Sequence, residues 1–153
     1  MSILRRYHCE GNIYFITNVI FQRKPVLIDN IDLLWTSFSA IKYKAGFDLI
    51  VWVILPDHFH VVINPQRNNI SNVLQRIKMS FGVPWRKRMN LCSGRVWQNR
   101  FWDHIIRDQN DLNRHIDYVH FYPVKHRFVN SPFDWTHSSI HKYHAEGFYS
   151  RDW

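Results

Sequence analysis

The sequence predicts an α+β fold: a ferredoxin-like βαββαβ antiparallel sheet with helices on one face, followed by a C-terminal helix and tail. Two patterns lead there. Short runs rich in β-branched and aromatic residues alternate with longer runs whose apolar residues recur at helical spacing. In addition, no repeat, low-complexity tract or linker interrupts the chain, so residues 1–153 read as one domain with a tail from about 130 to 153.

Tyr14 to Phe21 supplies the first strand, being rich in Ile, Val, Thr and aromatic residues. Asp29 or Asn30 then caps a helix with Ile31, Leu34, Trp35, Phe38 and Ile41 on its apolar stripe, and Gly46 is placed to end it. Residues 47–63 form a hairpin that turns at Pro56-Asp57. Asn69 or Ser71 caps a second helix carrying Ile70, Val73, Leu74 and Ile77, with Gly82 near its end. A fourth strand is expected around His104-Ile-Ile-Arg107. Asp108 then opens a third helix, with Leu112, Ile116 and Val119 buried and Pro123 as its stop.

Composition narrows the function. Twenty Lys and Arg against twelve Asp and Glu give a net charge of +8, which favours a polyanionic partner. Seven Trp, seven Tyr and eleven Phe are interleaved with these cations, a mixture suited to single-stranded nucleic acid, although aromatics also fill cores. The run from Leu49 to Pro56 is too short to cross a bilayer, and Met1-Ser-Ile-Leu-Arg-Arg lacks the apolar stretch of a secretory signal. Cys9 and Cys92 have no metal or disulfide spacing. A reduced cytoplasmic protein with no membrane association is expected.

His58-Phe59-His60 is the most informative motif. Strand side chains alternate, so His58, His60 and Val62 face one way while Phe59, Val61 and Ile63 face the other. Two imidazoles two residues apart on a rigid strand converge on one point and can hold a divalent metal. An isolated pair also fits two hydrogen-bonded surface histidines. Tyr118 falls off the buried stripe of the third helix, on a face it shares with Asp111, His115 and Tyr122. If that helix packs beside the sheet, a phenol lies near the histidine pair. Nucleophilic attack on a phosphodiester then becomes possible, with a metal stabilising the developing charge. The alternative is an amphipathic tyrosine with its ring on the core and its hydroxyl in water.

Four blocks carry a wider resemblance. They are Leu55-Pro-Asp-His-Phe-His-Val-Val-Ile63, Val96-Trp-Gln-Asn-Arg-Phe-Trp-Asp-His-Ile-Ile-Arg-Asp108, His115-Ile-Asp-Tyr-Val-His-Phe-Tyr-Pro-Val-Lys-His126 and Asp134-Trp-Thr-His-Ser-Ser-Ile-His-Lys-Tyr143. In this order and spacing the chain resembles the REP-associated tyrosine transposases, within the single-tyrosine HUH transposases. The resemblance implies an HUH nuclease fold in which His58 and His60 hold Mg²⁺ or Mn²⁺. It also implies that Tyr118 cleaves single-stranded DNA, leaving a 5′-phosphotyrosine and a free 3′-hydroxyl. The implied partner is hairpin-forming repetitive DNA with a short flanking guide, and the implied state is a monomer, with a dimer as the alternative.

One position departs from the family pattern Y-I-H-x-N-P-V-K. Tyr122 stands where an amide is usual, and a neutral phenol is a poor ligand for a hard cation. Either Tyr122 contributes weakly as the third metal ligand, or water, substrate phosphate, Asp111 or His115 completes the site. A catalytically impaired hairpin-binding protein or repressor is the alternative. The expected DNA contacts are Arg76, Lys78, Trp85, Arg86, Lys87, Arg88, Lys125 and Arg127, with Arg5, Arg6, Arg95 and Arg100 extending the track. Trp97 and Trp102 read as core, with base stacking as the alternative. The end of the chain either folds back on the domain or reaches toward DNA.

Overall fold

The structure, a computed structural model, describes residues 11–153. Arg5, Arg6 and Cys9 lie outside the described residues. Strands β1 (Tyr14–Val19), β2 (Asp48–Ile54), β3 (His58–Asn64) and β4 (Trp102–Ile105) form one antiparallel sheet in the order β2-β3-β1-β4. Helices α1 (Ile31–Ala45), α2 (Ile70–Arg88), α3 (Gln109–Lys125) and α4 (Ile140–Ala145) complete the domain.

Alternation along β3 divides the core in two. Phe59, Val61 and Ile63 join Ile16, Leu34, Phe38, Leu74, Ile77 and Phe81 in the layer beneath α1 and α2. Val62 joins Val51, Val53, Leu112, Ile116 and Val119 in the layer beneath α3. The two crossover helices therefore share one face, as the βαββαβ order demands, and α3 covers the other. Every residue of β3 is buried. Burying one such apolar side chain contributes about 1.5–3 kcal/mol, so both layers hold this strand in place.

The caps follow local chemistry. The Asn69 side chain accepts from the Ser71 and Asn72 N–H groups, and Asp108 accepts from Asp111 N–H. Gly46 ends α1 in the left-handed region at φ 76°. Asn30 is the N-cap residue of α1, but its side-chain amide donates to Val26 O instead of capping.

Two helix ends differ from expectation. α2 continues past Gly82 and Pro84 to Arg88, and α3 continues past Pro123 to Lys125. Packing outweighs the lost hydrogen bond in each case: Trp85 is buried in the first layer, and Tyr122 and Pro123 are buried beneath the second. The strand boundaries shift too. β1 ends at Val19 because the chain turns through a 3-10 segment at Phe21–Arg23. β4 begins at Trp102, where its pairing with β1 starts.

The C-terminal segment folds back on the domain. Ser138 bridges Val53 at the β2 edge, and the Tyr143 hydroxyl donates to Ile50 O at 2.6 Å. His120 is fully buried on α3, with Nδ1 2.8 Å from the Tyr149 hydroxyl and Nε2 2.7 Å from Ser139 Oγ. Tyr149 in turn donates to Asp117 at 2.8 Å, tying the segment to α3. No helix among the described residues is long and apolar enough to cross a membrane.

Candidate functional site

The strand register puts His58 and His60 on the α3 side of the sheet, with their ring centroids 5.0 Å apart. Each ring is anchored through Nδ1. His58 Nδ1 lies 2.6 Å from Asp57 Oδ1, and His60 Nδ1 lies 2.7 Å from Thr17 Oγ1. Thr17 reaches His60 because the two are direct partners in the β1–β3 ladder. Anchoring of this kind selects the tautomer and leaves the Nε2 atoms for other work.

The two Nε2 atoms differ. That of His58 lies 2.8 Å from the Tyr122 hydroxyl, which donates to it when Nδ1 carries the proton held by Asp57. That of His60 is buried and has no hydrogen-bond partner. A buried polar nitrogen without a partner is costly, and a metal ion is one group that would satisfy it. Both rings are held neutral. Burial lowers the His58 pKa against the pull of Asp57, and burial together with the nearby charges of His58 and His126 lowers that of His60 to about 3. Neutral imidazole is the form that coordinates a metal. Two nitrogens therefore fit a divalent cation well. The third position holds a phenol, which burial keeps protonated by raising its pKa. The Tyr122 ring sits 4.3 Å from that of His60 and stacks on His126 at 4.1 Å.

Tyr118, four residues earlier on α3, is half-buried with its ring centroid 6.1 Å from that of His60. Phe15 from β1 meets its edge at 5.8 Å and stacks on His60 at 5.5 Å. Lys125 Nζ stands 5.0 Å from the Tyr118 ring centroid, a cation–π contact. Burial raises the Tyr118 pKa, so the hydroxyl is protonated at rest. The structure thus brings His58, His60, Tyr118 and Tyr122 into one cluster.

The cations expected to contact DNA are more dispersed. α2 lies on the opposite face of the sheet from the histidine pair. Trp85 belongs to the core, only 6% exposed, and has no face to offer a base. Arg88 is spent on Asp32 in a two-pronged pair, with shorter arm 2.8 Å, and on Asn30. Lys78 is half-buried and donates to Gln98 O at 3.1 Å, and burial lowers its pKa. Arg76 and Lys87 are exposed, and Arg86 lines a groove of about 460 Å³ between α2 and residues 94–101. Lys125, at the end of α3 and against the Tyr118 ring, and Arg127, just past it, are exposed. Trp97 is core, as read from the sequence. Trp102 is 74% exposed, because β4 is an edge strand that α3 leaves uncovered.

Sequence reading missed Thr17, Asp57 and Phe15 as supports of the site. Asp57 is the chain neighbour of His58, so its contact is local. Thr17 and Phe15 depend on strand register, which residue spacing alone does not reveal. Asp111 and His115, considered as completing ligands, are instead engaged with His104 on the far side of Phe15.

Comparison with known proteins extends these observations. The family described as "Transposase IS200 like" matches residues 9–120, a stretch that includes His58, His60 and Tyr118 and stops before Tyr122. A REP-associated tyrosine transposase of Escherichia coli (strain K12) is 32% identical over 157 aligned positions, covering 100% of this chain and 91% of the relative. A solved REP-associated tyrosine transposase bound to a REP hairpin superposes with a TM-score of 0.82 at 33% identity, covering 100% of this chain and 91% of that one. Similarity that runs the whole length, through the strand of the histidine pair and the helix of Tyr118, places this chain in the family of REP-associated tyrosine transposases.

Proposed function

We propose that the protein cleaves and rejoins single-stranded DNA at hairpin-forming repeats through a phosphotyrosine ester on Tyr118, with Mg²⁺ or Mn²⁺ held by His58 and His60. The observation that carries this reading is the buried, unpartnered His60 Nε2 beside His58, with the Tyr118 ring 6.1 Å away. The hairpin specificity is inferred from the related transposase solved with a REP hairpin.

Asp57 and Thr17 fix the imidazole orientations, and burial keeps the rings neutral so that their lone pairs remain available. His58 and His60 would hold a divalent cation, which when bound would supply Lewis-acid stabilisation of charge on the scissile phosphate. Tyr118 Oη forms the new bond to phosphorus as the P–O3′ bond breaks. The phenol proton leaves to solvent, and the departing 3′ oxygen takes up a proton to become a hydroxyl. Burial raises the Tyr118 pKa, so the resting hydroxyl is protonated and has to give up its proton for the bond to form. The ester conserves the energy of the broken bond, so a later 3′-hydroxyl can reverse the step and join a new strand. Arg76, Arg86, Lys87, Lys125 and Arg127 supply phosphate contacts in this reading.

A second reading follows from Tyr122, whose hydroxyl occupies His58 Nε2 where the family pattern has an amide. It describes a hairpin-binding protein or repressor that does not cut. The two are separated by incubating the protein with Mn²⁺ and hairpin-bearing single-stranded DNA and resolving the mixture on a denaturing gel. Cleavage gives a covalent protein–DNA adduct that disappears in chelator and in Tyr118→Phe. Tight binding with no adduct supports the second reading, and an adduct persisting in Tyr118→Phe refutes the assigned nucleophile.

A further inference from the structure

A third polar cluster lies on the same sheet face, beyond Phe15. The strand pairings lay out a grid. Trp102, Thr17 and His60 form one row across β4, β1 and β3, and His104, Phe15 and Val62 form the next. Neighbouring strands are about 4.8 Å apart, which puts the backbones of Trp102 and His60 about 10 Å from each other. Trp102 and His104 therefore border the proposed reaction centre on its open side.

The cluster is built on Asp111, a carboxylate only 1% exposed. It accepts His104 Nε2 at 2.8 Å, Arg107 N–H at 2.9 Å and Arg114 at 3.2 Å. His115 Nδ1 is 3.3 Å from the same carboxylate and 2.8 Å from the Asp111 carbonyl oxygen. The Arg107 guanidinium adds an ion pair at 3.6 Å. The His104 and His115 rings stack 4.7 Å apart at 18°.

In outline, His104, Asp111 and His115 resemble a metal site, since one ligand atom from each lies within 4.8 Å of the others. The donor chemistry points elsewhere. Both carboxylate oxygens already accept hydrogen bonds, and two guanidiniums bring positive charge to the place a cation would occupy. The two guanidiniums are the solvent-facing rim of the cluster, since Asp111 is buried and Asp108 is turned to the Asp111 N–H as the cap of α3. Each guanidinium carries five N–H donors and spends few of them on Asp111. Arg107 and Arg114 are 70% and 63% exposed at their side chains. Such a rim suits an anion. Beside it, a pocket of about 270 Å³ is lined by Phe15, Arg114, His115 and Tyr118, so an anion held there adjoins the proposed nucleophile.

We propose that Arg107 and Arg114, assembled on Asp111 with His104 and His115 packed beside it, grip a phosphate of the single strand next to the one Tyr118 attacks, with exposed Trp102 stacking on a neighbouring base. Asp111 is a positioning residue here: it holds the cations in place and touches no DNA. The inference rests on the proposed chemistry for the direction of the strand, but binding through this site needs no cleavage.

The test is fluorescence anisotropy in chelator, with an oligothymidylate and a blunt-ended DNA hairpin as probes, across a range of NaCl concentrations. Each phosphate neutralised on a single strand contributes about −0.7 to the log–log salt slope. The double variant Arg107→Gln/Arg114→Gln should therefore flatten the oligothymidylate slope by about 0.7, or about 1.4 if the arginines hold separate phosphates. Trp102→Ala should weaken oligothymidylate binding about fivefold or more. Hairpin binding should be unchanged in both variants. These side chains are largely exposed, and thermal melting by circular dichroism checks that the variants fold. An unaltered slope, an equal loss on the hairpin, or no oligothymidylate binding by the unsubstituted protein overturns the proposal. So does Mn²⁺ binding, measured by calorimetry in His58→Ala/His60→Ala, that vanishes on adding His104→Ala. An altered slope without any Tyr118 adduct would refute the cleavage chemistry and leave this site standing. An adduct with an unaltered slope would do the reverse.

Discussion

From β3, Phe59, Val61 and Ile63 project into the layer beneath α1 and α2, whereas His58 and His60 project from the same strand into the layer beneath α3. The first layer is mostly apolar and closely interlocked, with Phe59 meeting the edges of Phe38 and Trp97 at 5.5 and 5.7 Å. Its unpartnered polar atoms, the Asn18 amide and Trp85 Nε1, stand apart, whereas the second layer gathers imidazoles and phenols around His60 Nε2, which also has no partner. Folding favours the first arrangement and gains nothing from an unpartnered nitrogen. The difference teaches that the rigidity needed to hold the histidines is supplied by the opposite side of their own strand.

Five substitutions and one change of pH would break or sharpen that contrast. The largest effect belongs to Tyr118→Phe, which should remove every trace of the covalent adduct on a denaturing gel while the thermal midpoint barely moves. Next comes stability. Phe59→Ala should cost about 3–5 kcal/mol in urea unfolding. His60→Ala should cost about 1–2 kcal/mol, because it deletes an unsatisfied nitrogen along with its packing. Equal losses would mean that both layers stabilise the fold alike.

Acid should act through the α3 layer. His60 and His120 both have pKa values lowered by burial to about 3, against about 6.5 in the unfolded chain. Between those values the unfolded state binds protons that the folded state does not. Stability is therefore fully present above about pH 6.5 and falls as the pH drops toward 3, by up to about 1.4 kcal/mol per pH unit for each histidine. Urea unfolding at successive pH values measures the slope, and His120→Gln should reduce it. The smallest effect is Tyr122→Asn, which replaces a phenol by an amide oxygen. It should tighten Mn²⁺ binding roughly tenfold by calorimetry. No gain would show that the phenol does not limit the site.

Much of this was legible in the chain. The caps at Asn69 and Asp108 and the stop at Gly46 could be read because each acts within a few residues of itself. The opposite facing of Phe59 and His60 follows from the two-residue period of a strand, and Tyr118 and Tyr122 share a helix face by the same kind of local geometry. Gly82 and Pro123 misled as helix ends, since their cost is local while the burial of Trp85 and Tyr122 that outweighs it comes from distant elements.

By itself, then, the sequence determined the order of elements, the faces of each and the residue types available for chemistry, because these depend on backbone periods of two and 3.6 residues. Only the tertiary structure decided which aromatic residues are core and which are exposed. Trp85 lies inside and Trp102 outside because one sits between packed layers and the other on an uncovered edge strand. It also decided that Thr17 holds His60, that the Tyr122 hydroxyl meets His58, and that Asp111 gathers His104, Arg107, Arg114 and His115. Most of those partnerships join different elements, so they exist only once strand register and helix packing have brought the segments together.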